Sequence, residues 1–234
     1  MPFANTKSLT IPEGSVKKIT RKSDGVVLWE KVTSRIPSAY QEVEWIQAGA
    51  NVGAYINLGF SYNTGAIIKL GQWVMNDNTA YPFGTSESGT YYRCALSIPY
   101  YGATAYFSPK IYSNKSVAVQ YIKNALNEFE ATYKVGDFQF ENLTTGEKAT
   151  SSDIGSYAMS DNLYLFAQNY NGSPRFGDIR RIAYFQYYDK NNTLICDLVP
   201  CYRKSDGVIG MYDIVRNIFL ANVGSGTFTK GANV

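Results

Sequence analysis

Residues 127–135 alternate without a break: Phe129, Ala131, Tyr133 and Val135 fall on one side, Glu128, Glu130, Thr132 and Lys134 on the other. A repeat of two marks an antiparallel strand with one face in a core and one in water. Asp137 to Glu141 carries the alternation on, and Asn142-Leu-Thr-Thr-Gly146 turns the chain. Two further runs, Leu163 to Ala167 and Ile182 to Tyr188, are apolar on both sides, as central strands of a sandwich are. Clusters of Gly, Asn, Ser and Asp punctuate these runs at short intervals. Helical periodicity is weak, and even 117–126, the best helical candidate, suits a strand better. Many short strands between turn clusters predict an all-β sandwich.

Residues 1–33 read as a separate small unit. Val16 to Thr20 and Val26 to Val32 form two arms around Arg21-Lys-Ser-Asp-Gly25, whose Asp-Gly pair favours a tight reversal. A lone hairpin of this length is marginal in water, so it must pack on the main domain or on a partner. Leu9, Ile11, Val16, Ile19, Leu28 and Trp29 are its candidate attachment residues. Residues 34–39, with Pro37, read as a linker, and 40–234 as the sandwich. The run Arg21 to Val26 recurs as Arg203 to Val208, but the flanks differ, so a shared turn rather than a duplicated domain is expected.

Composition narrows the chemistry. The 234 residues include no histidine, which removes Ser-His-Asp and Cys-His catalysis and any His-ligated metal site. Carboxylate pairs remain as the common hydrolytic route. Glu42/Glu44 and Glu128/Glu130 each put only two carboxylates on one strand face, and both read as solvated faces. No catalytic residue and no metal ligand is assigned, and Asp-rich calcium loops are absent. Cys94, Cys196 and Cys201 are odd in number and irregularly spaced, so free buried thiols are expected rather than a disulfide framework. A net charge of +3 without a dense basic run argues against a nucleic-acid partner. No apolar run is long enough to span a bilayer, and Met1 to Thr10 lacks the layout of a secretory signal. Asn114, Asn142 and Asn191 fit the glycosylation pattern but read as turn residues.

The aromatic share of 15%, with Tyr supplying 20 residues, serves strands and recognition surfaces alike. Sugar sites combine aromatic faces with directional amide hydrogen bonds. Trp73, Tyr91, Tyr92, Tyr100 and Tyr101, with Asn169, Tyr170 and Asn171 on a predicted loop, are therefore the candidate carbohydrate-contacting residues.

The chain ends carry recognisable motifs. Ile36-Pro-Ser-Ala-Tyr-Gln-Glu-Val-Glu-Trp-Ile46 and Ala54-Tyr-Ile-Asn-Leu-Gly59 open the main domain. Gly177 to Phe185, Ile195 to Asp213, Asn217-Ile-Phe219 and Gly224-Ser-Gly-Thr-Phe228 close it. Together they resemble the concanavalin-like (laminin-G-like) jelly-roll domains of phage and prophage structural proteins, over about Ile36 to Gly231 with a divergent centre at 62–116. Within the motifs, Pro200 is expected at a strand end or bulge, Asp206-Gly207 at a turn, and Gly224 and Gly226 at a close approach. The resemblance implies a bacteriophage virion surface protein, assembled in the bacterial host cytoplasm, that displays a non-catalytic lectin-like sandwich. Its N-terminal segment would meet other virion proteins, and the sandwich bacterial surface polysaccharide at a tail or baseplate. Capsid decoration or a head fibre is the alternative; a glycoside hydrolase or bacterial adhesin stands further off. A homo-oligomer without a cofactor is expected, with a lone structural Ca²⁺, as some laminin-G-like domains hold, left open.

Overall fold

Period-2 segments become strands because each residue in turn faces a core and then water. The computed structural model describes residues 18–20, 27–30, 34–49, 53–63, 65–74, 80–86, 93–98, 104–108, 117–134, 137–152, 158–175 and 181–234, and no helix occurs among them. Numbered along the chain, the strands begin with β1 (Lys18–Thr20), β2 (Val27–Glu30), β3 (Tyr40–Glu42), β4 (Ile46–Ala48), β5 (Ile56–Asn63), β6 (Ile67–Trp73) and β7 (Ala80–Ser86). The middle holds β8 (Arg93–Ile98), β9 (Thr104–Ser108), β10 (Val117–Gln120), β11 (Leu126–Lys134), β12 (Asp137–Asn142), β13 (Glu147–Ser151) and β14 (Ala158–Leu165). Then follow β15 (Gln168–Tyr170), β16 (Ser173–Arg175), β17 (Arg181–Tyr188), β18 (Leu194–Arg203), β19 (Ile209–Asp213), β20 (Ile218–Ala221) and β21 (Phe228–Lys230).

The chain divides into two units, Met1–Arg35 and Ile36–Val234. In the first, β1 and β2 pair antiparallel, with Ile19 opposite Trp29 and a register shift before Thr20. Leu28 lies in β2, while Leu9, Ile11 and Val16 lie outside the described residues.

The second unit is a two-layer sandwich. Its larger sheet runs β13-β12-β11-β6-β17-β18-β19-β20, with β3 on β18, β4 on β17 and β21 on β4. The smaller runs β10-β9-β8-β7-β14-β5, and the β15–β16 hairpin joins it through β7. Phe129, Phe140, Leu70, Phe185 and Leu198 of the larger sheet are all at most 2% exposed, as are Ile56, Leu58, Phe83, Leu163 and Leu165 of the smaller. Phe83 and Phe185 meet edge to face at 5.6 Å. Each such side chain contributes about 1.5–3 kcal/mol by leaving water, and together they clamp the layers.

Ile36 folds with this unit: it is 6% exposed and clusters with Val199, Cys201 and Tyr212. Cys196 and Cys201 are free and buried, and burial pushes the Cys201 thiol up to about 12. Pro200 lies inside β18 rather than at its end. Its carbonyl accepts from Val43, and it falls where the neighbour of β18 changes from β17, last paired at Leu198, to β3, first paired at Cys201. The missing N–H therefore costs one ladder bond where β18 exchanges partners.

Buried polar groups tie the layers together. Asp213, fully buried, accepts from the backbone N–H groups of Asp197, Val215 and Arg216 and from the Arg216 guanidinium, whose Nη1 donates to Leu58 O in the other sheet. Asn127 and Asn142, both fully buried, bond each other at 3.1 Å and hold the backbone of Ile122, Ala125 and Gln120. The amide of Asn142 is thus closed to glycosylation. Near the chain end, a Cβ on Gly226 would stand 2.5 Å from the Gly53 carbonyl carbon, the close approach expected there. At Asp206-Gly207, φ is +72° and Asp206 grips Arg203 at 2.6 Å, completing the expected turn.

Candidate functional site

Alternate residues of the central strands in the larger sheet point away from the core, and strand pairing sorts them into rows. In one row Glu128, Gly71 and Tyr184 are cross-strand partners. A Cβ on Gly71 would lie 2.4 Å from the Tyr184 ring, so glycine there lets the ring lie across β6 and its hydroxyl donate to Glu128 at 3.2 Å. Burial, with the Glu128 charge beside it, pushes the Tyr184 phenol well up. In the next row Glu130, Lys69, Gln186 and Asp197 follow one another across β11, β6, β17 and β18. Lys69 pairs with Glu130 at 2.9 Å, and Gln186 donates to Asp197 at 3.2 Å. Glu141 pairs more loosely with Lys148, at 3.9 Å. The face read as a solvated carboxylate stripe is a ladder whose carboxylates accept from neighbours.

The row at the end of β6 differs. A register shift in β17 between Ile182 and Tyr184 returns Arg181 to the outward side, opposite Trp73 on β6 and Gln47 on β4. Gln47 accepts from Arg181 Nε at 3.3 Å, and the guanidinium stacks 4.1 Å from the centre of the Trp45 ring. Trp45 in turn rests on Gly231, where a Cβ would come within 2.7 Å of the indole nitrogen. Trp45, Gln47, Trp73 and Arg181 are all half-buried. Among the described residues no partner takes the terminal nitrogens of Arg181, the amide nitrogen of Gln47 or the indole N–H of Trp73. With strands about 4.8 Å apart, Gln47 to Trp73 spans about 10 Å. Two of the three tryptophans thus flank a pre-positioned amide and guanidinium on the outward face of the larger sheet.

Of the residues expected to touch sugar, Trp73 belongs to this row. Tyr91, Tyr92, Tyr100 and Tyr101 lie outside the described residues. Asn169 and Tyr170 lie in strand β15, not in a loop, and Asn171-Gly172, with φ of +50° and +80°, makes the two-residue turn into β16. Asn169 is 2% exposed; its amide donates to Asn162 O and accepts from Gly172 N, both at 2.8 Å. It shapes the turn and is closed to a ligand by its burial. Tyr170 has the Arg175 guanidinium 3.7 Å over its ring, and Asn171 is exposed at the tip. Trp45, Gln47 and Arg181 were not singled out by sequence, because the pairing of β4 with β17 joins positions 134 residues apart. Among the described residues, no three of His, Cys, Asp and Glu gather as a metal site would require.

No family model matches the sequence, and no curated protein does. Solved structures match in fold. Domains LG4-5 of the mouse laminin alpha1 chain superpose with a TM-score of 0.50 at 12% identity, over 70% of this chain and 47% of that one. A protein of Bacteroides ovatus provisionally described as carbohydrate-binding gives 0.54 at 16% identity, over 83% of this chain and 62% of its own. The chain thus spans about half the length of the laminin pair and about three-fifths of the Bacteroides protein. At such identities the likeness concerns fold alone: the chain carries an all-β, concanavalin-like jelly-roll sandwich.

Proposed function

We propose that the second unit is a non-catalytic carbohydrate-binding module that holds saccharide on the row Trp45, Gln47, Arg181 and Trp73. The observation that carries this reading is the pair of indoles flanking an amide and a guanidinium with donors to spare. Indole faces pack against the C–H faces of sugar rings, and the amide and guanidinium supply direction. A row that runs across three strands suits a polymer passing across the sheet better than a small molecule enclosed in a pocket. Glycoside hydrolysis is disfavoured because Glu128 and Glu130, the carboxylate pair of β11, lie on one face of one strand, engaged by Tyr184 and Lys69, and are not opposed across a cleft. The Bacteroides neighbour, described as carbohydrate-binding, adds support at the level of fold.

The test is retention on a panel of bacterial cell-wall and surface polysaccharides, with the full chain and its Trp45→Ala/Trp73→Ala double variant. Loss of both indoles should weaken binding about thirtyfold or more, the size of an aromatic hot spot. Undiminished binding by the double variant, or a panel with no bound polysaccharide, refutes the site.

The setting proposed for the module is a phage virion surface, with unit 1 as attachment segment. This rests on the resemblance of the opening and closing motifs and on a hairpin, β1–β2, too small to stand alone. Imaging intact particles with a labelled chain decides it: label at a tail tip supports receptor binding, label on the shell supports decoration, and unlabelled particles overturn the virion setting.

A further inference from the structure

We propose that the saccharide held at the Trp45–Trp73 row is anionic, and that a carboxylate or sulfate group on it seats against the terminal nitrogens of Arg181. The inference rests on the saccharide reading of that row and adds the charge of the ligand.

Arg203 and Arg216 show what this chain does with a structural arginine: each is gripped by an aspartate three residues away, Asp206 and Asp213. Arg175 lies over Tyr170 at an exposed hairpin. Among the described residues Arg181 is held in place without being neutralised. Gln47 fixes Nε, and Trp45 covers one face of the guanidinium plane. Among the described residues no carboxylate pairs with it. Glu128, one row along, takes the Tyr184 hydroxyl, and Glu44, beside Trp45 in sequence, takes the backbone N–H of Ala232 at 3.4 Å.

With Nε occupied, the fork that remains is Nη1 and Nη2, whose parallel N–H groups match two oxygens of one carboxylate or sulfate. Stacking on indole strips water from one face and holds the fork in a single orientation, so little ordering is left to complete on binding. A neutral sugar hydroxyl would use one donor and leave the charge unanswered. An anionic group uses both and neutralises it, while the flanking indoles take the ring faces of the same chain.

The experiment compares polymers that share a backbone and differ in charge: polygalacturonate against its carboxyl-reduced form, and dextran sulfate against dextran. Full-length protein is measured at low and at 0.5 M salt beside Arg181→Gln, which keeps hydrogen-bonding groups and loses the charge. At least one charged polymer should bind about ten- to hundredfold tighter than its neutral partner, as charge-assisted pairs do. The preference should shrink in salt and vanish in R181Q, with an unchanged unfolding midpoint. Preference in the first pair identifies carboxylate, in the second sulfate. Equal binding of charged and neutral partners, a preference that survives R181Q, or panel binding confined to neutral polysaccharides overturns the charge while leaving the saccharide reading intact. Retention of none of the four polymers together with an empty panel fails the saccharide reading itself.

Discussion

The β15–β16 hairpin and the Trp45–Trp73 row both present aromatic, amide and guanidinium groups, yet they spend them differently. At the hairpin, Asn169 commits both ends of its amide to backbone, Tyr164 donates to Gly172 O at 3.2 Å, and Arg175 covers Tyr170. At the row, Gln47 and Arg181 use one bond to fix each other, and no partner among the described residues takes the rest of their donors. The same residue types therefore build a turn in one place and a candidate platform in the other. What separates them is the count of donors and acceptors left over, since a buried polar group must be satisfied inside the protein while a half-buried one can wait for a ligand.

The sharpest way to break the comparison is to remove a polar group that is wholly spent. Asp213→Ala deletes the acceptor for three backbone N–H groups and for Arg216, and leaves that guanidinium beside Leu58 O and Cys196 without a counter-charge. Stranding one partner of a buried pair costs about 3–5 kcal/mol, a large share of the stability of a domain. Denaturant titration should show the midpoint fall accordingly. A loss under 1 kcal/mol would mean that the β19–β20 turn is held by packing and not by this carboxylate.

Much of the frame was legible before any coordinates. The 127–135 alternation predicts β11, Gly207 turns the chain at a positive φ, and Gly224 and Gly226 lie where a Cβ would collide with Gly53. The strand and the turn are local: their cause lies within a few residues. Asn171-Gly172 carried an equally local hairpin signal, which the reading of 169–171 as loop passed over. The row is of another kind. Arg181 and Trp45 read as parts of the closing and opening fold motifs, and only the pairings β4–β17 and β6–β17 bring them beside Trp73. The same non-local cause hid the burial of Asn169 and the change of partner at which Pro200 sits within a strand.

A milder test separates the two regions directly. Asn169→Ala removes the bonds to Asn162 O and Gly172 N from a side chain that is 2% exposed. About 1–3 kcal/mol of stability should go, because two backbone groups lose their partner. Saccharide retention should stay within about twofold of the parent, since additive behaviour is expected of sites that share no partners. If N169A instead abolished retention as fully as the double tryptophan variant, the hairpin and not the row would be the contact surface.

The smallest effect belongs to the ladder beside the row. Lys69 and Glu130 form a 2.9 Å pair with side chains 33% and 27% exposed, so solvent screens much of their attraction, and Glu130→Gln should cost under about 1 kcal/mol at neutral pH. The hydrogen bond from Glu130 is the largest cause raising the Lys69 pKa above its usual 10.5. A raised pKa in the folded state means that the contribution is complete below 10.5 and is lost as pH climbs through the folded value. Wild type and E130Q should therefore differ slightly at pH 7 and converge above pH 10.5, read as the gap between their denaturation midpoints. A gap that persists into that alkaline range would show that Glu130 acts through another polar partner, such as the Thr132 hydroxyl that donates to it at 3.3 Å, and not through the Lys69 charge. Saccharide retention should not change in E130Q, because a ladder whose polar groups are already paired has nothing to offer a ligand; a loss there would extend the contact surface from the tryptophan row across the sheet.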